Sequence, residues 1–349
     1  MLISKLKTLK ILFHKDRKIQ VTYIHLRNIQ VSIIGAVCDI GANLALLLKR
    51  NNKISRLHLY DNYEKVNAIG LELSHLPGGP HISSFVGECM LSSSIRYSDL
   101  VVMVDRIARK PGNVREQMIP SNTPLVYKLC KVMCEQNSNA ILAISTSPIN
   151  SIVPFASALL YKYGSYNPFK VFGITHLDVA RVRTLTASAL QVNPTKIYVP
   201  VIGGHSDETI VPLFSNISPN CYTLDEPKTD MLTKLLRKSG TEVVNKKLGI
   251  GSATLAMAWS VNEFVDCILD AIRGAEVMVN AYTANPHFGT KYFSGPTLVG
   301  SNGIIQPCFD FSMSDYEHTL LNTALPIINR DVIKGEQHVQ IFESISKKI

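Results

Sequence analysis

Apolar residues in this chain fall into short runs separated by longer stretches of helical spacing. Residues 31–34 form an apolar run into Gly35, Gly41 follows, and 42–49 have the periodicity of a helix. Residues 56–60 alternate and end on Asp61, an acid about twenty-five residues beyond the first glycine, which is a β-α-β unit with a carboxylate at the tip of its second strand. Further buried strands are predicted at 99–104 and 140–144, with helices over 120–137 and from Asn150 into Tyr161. Strands alternating with helices predict a parallel sheet with helices on both faces.

After about Gly173 the pattern changes. Helices are predicted over 176–190, 230–247 and 252–273, and strand-like runs at 197–202 and 209–214. Ser314 and Glu317 have capping-box spacing and open a last helix, which Pro326 is expected to kink or interrupt. The change of texture divides the chain into a basic extension at 1–30, an α/β unit at 31–174 and a second unit at 175–345.

Composition sharpens this picture mainly at the N-terminus. The 349 residues are 46% hydrophobic and 18% charged, with a net charge of +9. Lys5, Lys7, Lys10, Lys15, Arg17, Lys18 and Arg27 stand against Asp16 alone in the first thirty residues, so +6 of that charge belongs to the tail. A body near +3 does not point to nucleic acid. The tail lacks the apolar core of a secretory signal and reads as an organelle-import segment, with a solvated cytoplasmic extension as the alternative. No run of eighteen apolar residues predicts a membrane span. Seven scattered cysteines without a CxxC pair read as reduced thiols, and no metal site is expected.

Three segments carry candidate chemistry. His205 follows Gly203 and Gly204 at the end of an apolar run, which holds its ring on a turn. Asp178 is placed to orient that ring and stabilise its protonated form. Arg181, three residues later, shares the helix face of Asp178 and can fork onto a carboxylate. Taken alone, these residues also fit a buried structural histidine beside a helix-surface ion pair. Arg109 and Arg115 flank the Pro111-Gly112 turn, and with Arg181 they make three guanidinium groups suited to a dicarboxylate. In the loop from Gly35 to Gly41 the outer glycines suit a diphosphate cradle. Cys38 and Asp39 stand between them: the first would obstruct close backbone approach, and the second adds like charge.

With these segments in hand, the chain resembles the malate dehydrogenases of the mitochondrial and bacterial type, in the lactate/malate dehydrogenase family. The resemblance rests on Arg109-Lys-Pro-Gly-x-x-Arg115, Leu177-Asp-x-x-Arg181, Val199-Pro-Val-Ile-Gly-Gly-His205, Gly251-Ser-Ala-Thr-Leu-x-Met257 and Tyr292-Phe-Ser-x-Pro296, and covers roughly residues 31 to 345. It implies a Rossmann-type doubly wound parallel sheet that binds NAD, followed by an α/β substrate-binding catalytic domain, in a homodimer or larger homo-oligomer. It implies that His205 donates and accepts the proton and that Asp178 fixes its tautomer. Arg181 would grip the carboxylate beside the reacting carbon, Arg115 would polarise the carbonyl, and Arg109 would bind the distal carboxylate. Asp61 would meet the adenosine ribose, and Gly35, Gly41, Asn122 and Met257 would contact the cofactor.

The chain departs from that family at Cys38 and Asp39, at Val104-Asp-Arg106, and at Ser147, which stands where the family carries an asparagine at the substrate. Two accounts remain open at this stage. One is NAD-dependent interconversion of (S)-malate and oxaloacetate through an altered cofactor loop. The other is a catalytically weak relative that serves as a binding or oligomer partner.

Overall fold

The computed structural model describes residues 9–12, 20–23, 28–105, 115–248 and 251–346. In the tail, β1 (Leu9–Leu12) and β2 (Gln20–Tyr23) form an antiparallel pair. The first half then runs β3 (Ile29–Ile34), α1 (Asp39–Lys49), β4 (Ile54–Asp61), α2 (Lys65–Ser74), β5 (His81–Val86), α3 (Leu91–Ile95), β6 (Leu100–Met103), α4 (Ile119–Gln136), β7 (Ile141–Ile144), α5 (Ile149–Lys162) and β8 (Val171–Ile174). Its strands pair in parallel in the order β5-β4-β3-β6-β7-β8. The chain leaves β3 toward β4 and β5, then returns to the other side of β3 as β6. The loops after β3 and β6 therefore diverge and leave a crevice at the carboxyl end of the sheet.

Burial on both faces explains why β3 shows polar positions yet lies in the centre. Ile29, Val31 and Ile33 pack toward α1. Gln30 and Ser32 face the other way, where Gln30 Nε2 donates to Arg96 O at 2.7 Å and Ser32 Oγ to Ser94 O at 2.6 Å. Each buried polar group thus recovers the hydrogen bonds it loses to water.

The second half runs α6 (His176–Leu190), β9 (Val201–Gly203), β10 (Ile210–Pro212), α7 (Glu226–Lys246), α8 (Leu255–Ile272), β11 (Val277–Ala284), β12 (Tyr292–Gly300), β13 (Gly303–Gln306) and α9 (Asp315–Ser346). β11 pairs antiparallel with β8, Ala281 opposite Ile174, so the sheet continues from one half into the other. Beyond β11 the order is β12-β9-β10, all antiparallel. One core layer joins α1 and α8 to the sheet through Leu44, Leu48, Phe264 and Ile268. The opposite layer joins α4, α5 and α9 through Leu129, Phe155, Ile328 and Val332.

Several expected elements change in detail. β11 and β12 carry no strand signal in the sequence, because their buried runs lack alternation. The runs at 197–202 and 209–214 shrink to β9 and β10, since Pro200 and Pro212 cannot donate to a ladder. The capping box forms as expected: Ser314 N donates to Glu317 Oε2 at 2.8 Å, and Glu317 N to Ser314 Oγ at 3.3 Å. Pro326, by contrast, does not interrupt α9. The helix is held along α5, where a Cβ on Gly335 would come within 2.1 Å of the Ser151 carbonyl oxygen.

Candidate active site

The glycine loop after β3 is shaped by lack of space. Gly35 has φ +93°, and a Cβ there would lie 2.4 Å from Asp105 Cβ, on the loop after β6. A Cβ on Gly41 would fall 2.1 Å from the Gly35 carbonyl oxygen. Only glycine lets α1 start this close to the sheet. Cys38 caps α1: its Sγ accepts from Gly41 N at 3.3 Å and donates to Val104 O at 3.5 Å. The thiol is therefore engaged with the helix start and the end of β6. The N–H groups of Asp39 and Ile40, at the first two positions of α1, have no acceptor within the helix and suit an anion. Asp39 itself is exposed.

Asp61 ends β4 and is almost fully buried. Its Oδ2 accepts from Val37 N at 2.9 Å and its Oδ1 from Tyr63 N at 3.3 Å. With Cys38, Asp105, Asn122 and Lys128 it lines a crevice of about 450 Å³. The surroundings are acidic: burial, then Glu88, Asp61 and Asp105 among its neighbours, push the Tyr60 phenol up to about 12.

The second cavity, of about 70 Å³, lies at the ends of α5, α6 and β9 and is lined by Ser147, Arg181, His205 and Met257, with Met118 and Leu177 as apolar walls. His205 is 7% exposed and Asp178 1%. His205 Nδ1 lies 2.6 Å from Asp178 Oδ2. An ionised carboxylate only accepts, so Asp178 holds the proton on Nδ1 and assigns Nε2 to exchange with a ligand. The other oxygen, Oδ1, has no hydrogen-bond partner, and Arg181 Nη1 stands 3.7 Å from it. The guanidinium thus faces both the carboxylate and the cavity. Asn122 Nδ2 donates to the Ser147 carbonyl at 2.7 Å, which ties the crevice to this cavity.

The structure thus brings His205, Asp178, Arg181, Ser147 and Met257 to one place, and Gly35, Gly41, Asp61 and Asn122 to its neighbour. Arg109 lies outside the described residues. Arg115 opens a 3-10 turn, Arg115–Met118, and its side chain likewise lies outside them. Met257, which the family resemblance puts at the cofactor, lines the small cavity beside His205. Two residues at the site carry no functional signal in the sequence: Met118, which lines the cavity, and Asn150, whose Oδ1 accepts from the His205 backbone N–H at 2.8 Å. Among the described residues, no cluster of potential ligands could hold a metal ion, and no helix is long and apolar enough to cross a membrane.

Sequence profiles of two domains match the chain. The lactate/malate dehydrogenase NAD-binding domain matches residues 29–173, and the lactate/malate dehydrogenase α/β C-terminal domain matches 175–339. The mitochondrial malate dehydrogenase of Homo sapiens is 34% identical over 319 residues, 90% of this chain and 93% of that protein. That of Caenorhabditis elegans is 35% identical over 314 residues, 89% and 91% of the two chains. Among solved structures, Cryptosporidium parvum malate dehydrogenase superposes with a TM-score of 0.77 at 24% identity, over 89% of this chain and 99% of that one, a likeness of fold.

The crevice fits the NAD that this family binds. The glycine cradle is one a Cβ would fill, the start of α1 offers two amides, and Asp61 stands at the strand end. With two domain profiles meeting near residue 174 and relatives matched along nearly their whole length, the chain belongs to the lactate/malate dehydrogenase family.

Proposed function

We propose that the chain is an NAD-dependent malate dehydrogenase interconverting (S)-malate and oxaloacetate. The observation that carries this is the 2.6 Å pair of His205 and Asp178, with His205 and Arg181 on the wall of one cavity beside the dinucleotide crevice. When bound, NAD supplies the acceptor or donor of the hydride. His205 takes the hydroxyl proton as malate is oxidised and returns it to oxygen in the reverse direction. Asp178 keeps Nδ1 protonated and stabilises the imidazolium while His205 carries both protons. Arg181 grips the carboxylate beside the reacting carbon. Ser147 contributes a hydroxyl where an asparagine would contribute an amide. Met118, Leu177 and Met257 supply apolar wall and limit water.

In this scheme Arg109 binds the distal carboxylate and Arg115 polarises the carbonyl. Gly35, Gly41, Asp61 and Asn122 hold the cofactor, and Met257 lies within reach of both ligands. The working units are the extension 1–30, the NAD-binding domain 31–174 and the substrate-binding domain 175–345. A mitochondrial matrix location and a homodimer or larger homo-oligomer complete the proposal, supported by the mitochondrial relatives and the basic tail.

A second reading, a weak or inactive relative acting as a partner subunit, is favoured by the Asp105 carboxylate on the crevice wall. One experiment separates the two. NADH is titrated into the full chain by fluorescence, and oxaloacetate is then added while absorbance is followed. Saturable binding followed by oxidation of NADH supports the dehydrogenase. Folded protein that binds no NADH at millimolar concentration supports the partner subunit.

A further inference from the structure

A second buried carboxylate lies behind His205, and the chemistry above does not use it. Asp331, on α9, is 6% exposed. Its Oδ2 accepts from Asn150 Nδ2 at 3.1 Å. Asn150, in the first turn of α5, in turn accepts from the backbone N–H of His205 on its Oδ1 at 2.8 Å. The second contact of Asn150 Nδ2 is Thr209 Oγ1 at 3.3 Å, and that oxygen accepts from Ser206 N at 3.0 Å. The turn carrying His205 is thus gripped on both sides by side chains. There is no slack between them, since a Cβ on Gly204 would lie 2.6 Å from Thr209 Oγ1 and 2.9 Å from both amide atoms of Asn150.

A primary amide can face either way, and its two ends have opposite hydrogen-bonding character. A carboxylate only accepts, so Asp331 requires Nδ2 to face α9 and leaves Oδ1 for His205. With the amide turned round, a donor would meet the His205 N–H and a carbonyl oxygen would meet the carboxylate. Arg330 Nη2 lies 3.2 Å from Asp331 Oδ1 and offsets the buried charge. The backbone carbonyl of Asp331 separately accepts from Ser151 Oγ at 2.9 Å, so the docking of α9 on α5 does not depend on the carboxylate alone.

The geometry points to Asp331 as a positioning residue: it fixes the orientation of the Asn150 amide, and through it the placement of His205 against Asp178. This rests on His205 being the proton-transfer group. Asn150 and Asp331 are 181 residues apart, so the link is made only by the fold.

The test uses the full-length chain with Asp331→Leu, which removes the acceptor, and Asp331→Asn, which restores one. Expected for Asp331→Leu are a kcat for oxaloacetate reduction lowered about 10- to 100-fold, comparable to removing a supporting contact of a precisely held site, and an unchanged affinity for NADH. Asp331→Asn recovers most of the loss. Proton NMR of the resting protein follows the Nδ1 proton in the His205–Asp178 hydrogen bond, assigned by its absence in His205→Gln. That signal shifts or broadens in Asp331→Leu and returns in Asp331→Asn. Wild-type kcat and an unmoved signal in Asp331→Leu overturn the proposal. So does an equal loss of NADH affinity and kcat in both variants, which marks general loosening. If the wild type reduces no oxaloacetate, the dehydrogenase reading fails by itself, and the NMR signal still decides the role of Asp331.

Discussion

The cavity around His205 and the crevice around Asp61 lie at the same end of the sheet, but different kinds of contact hold them. In the cavity His205 is fixed by a chain of buried side chains: Asp178 on its ring, Asn150 on its backbone, Asp331 on Asn150. In the crevice the work falls to backbone, with amides at the start of α1, glycines that admit no Cβ, and Asp61 bound to Val37 and Tyr63 N–H groups. Proton transfer requires atoms placed within tenths of an ångström, which interlocked side chains provide. A dinucleotide spreads its binding over many contacts, so single side chains along its cradle can vary while the backbone path holds. Of the departures noted in the sequence, Cys38, Asp39 and Asp105 fall on the second kind of surface, while Ser147 lines the cavity.

The contrast can be broken most sharply at His205. His205→Gln is expected to lower kcat about 1000-fold while leaving NADH affinity within about twofold, read by stopped-flow and fluorescence titration. Equal losses in both would show that the two regions are not separable. The next largest effect is on stability. Burial, helped by the Arg183 charge, pushes the His176 imidazole down to about 4. The unfolded chain takes up this proton below about pH 6.5 and the folded chain does not, so stability falls as pH drops from 6.5 and levels off near 4. The full difference is about 3 kcal/mol. His176→Phe should flatten that part of the urea midpoint against pH, and an unchanged slope would assign the acid sensitivity elsewhere.

Two smaller changes compare backbone with side chain inside the crevice. Gly41→Ala forces a methyl against the Gly35 carbonyl and should cost about 2 kcal/mol of stability, with NADH affinity reduced at least about tenfold. Cys38→Gly removes only a weak thiol cap and should change stability by about 0.5 kcal/mol or less, with NADH binding equal or tighter. A larger loss on Cys38→Gly than on Gly41→Ala would reverse the account of the loop.

The sequence exposed whatever depends on local order. The Gly35–Gly41 loop, the acid at β4, the spacing of Asp178 and Arg181, and the capping box of α9 are contacts within or between neighbouring segments, and their residue types announce them. Cys38 was only half legible because a side chain there can both narrow the loop and cap a helix, and its contact with Gly41 N exists only in the folded turn. β11 and β12 stayed hidden because strands covered on both faces lose the alternation that marks a strand. Asp331 was invisible for another reason, since an aspartate in an amphipathic helix looks solvated until α5 is laid across it.

The pairing of β8 with β11 bears on how the chain can be divided. A fragment ending near residue 174 would lose the β11 pairing at Gly173 and Ile174 and the Phe264 ring packed on Phe172, leaving β8 as an open edge. Such an edge is a template for pairing with other chains, so the second half shields the first from self-association.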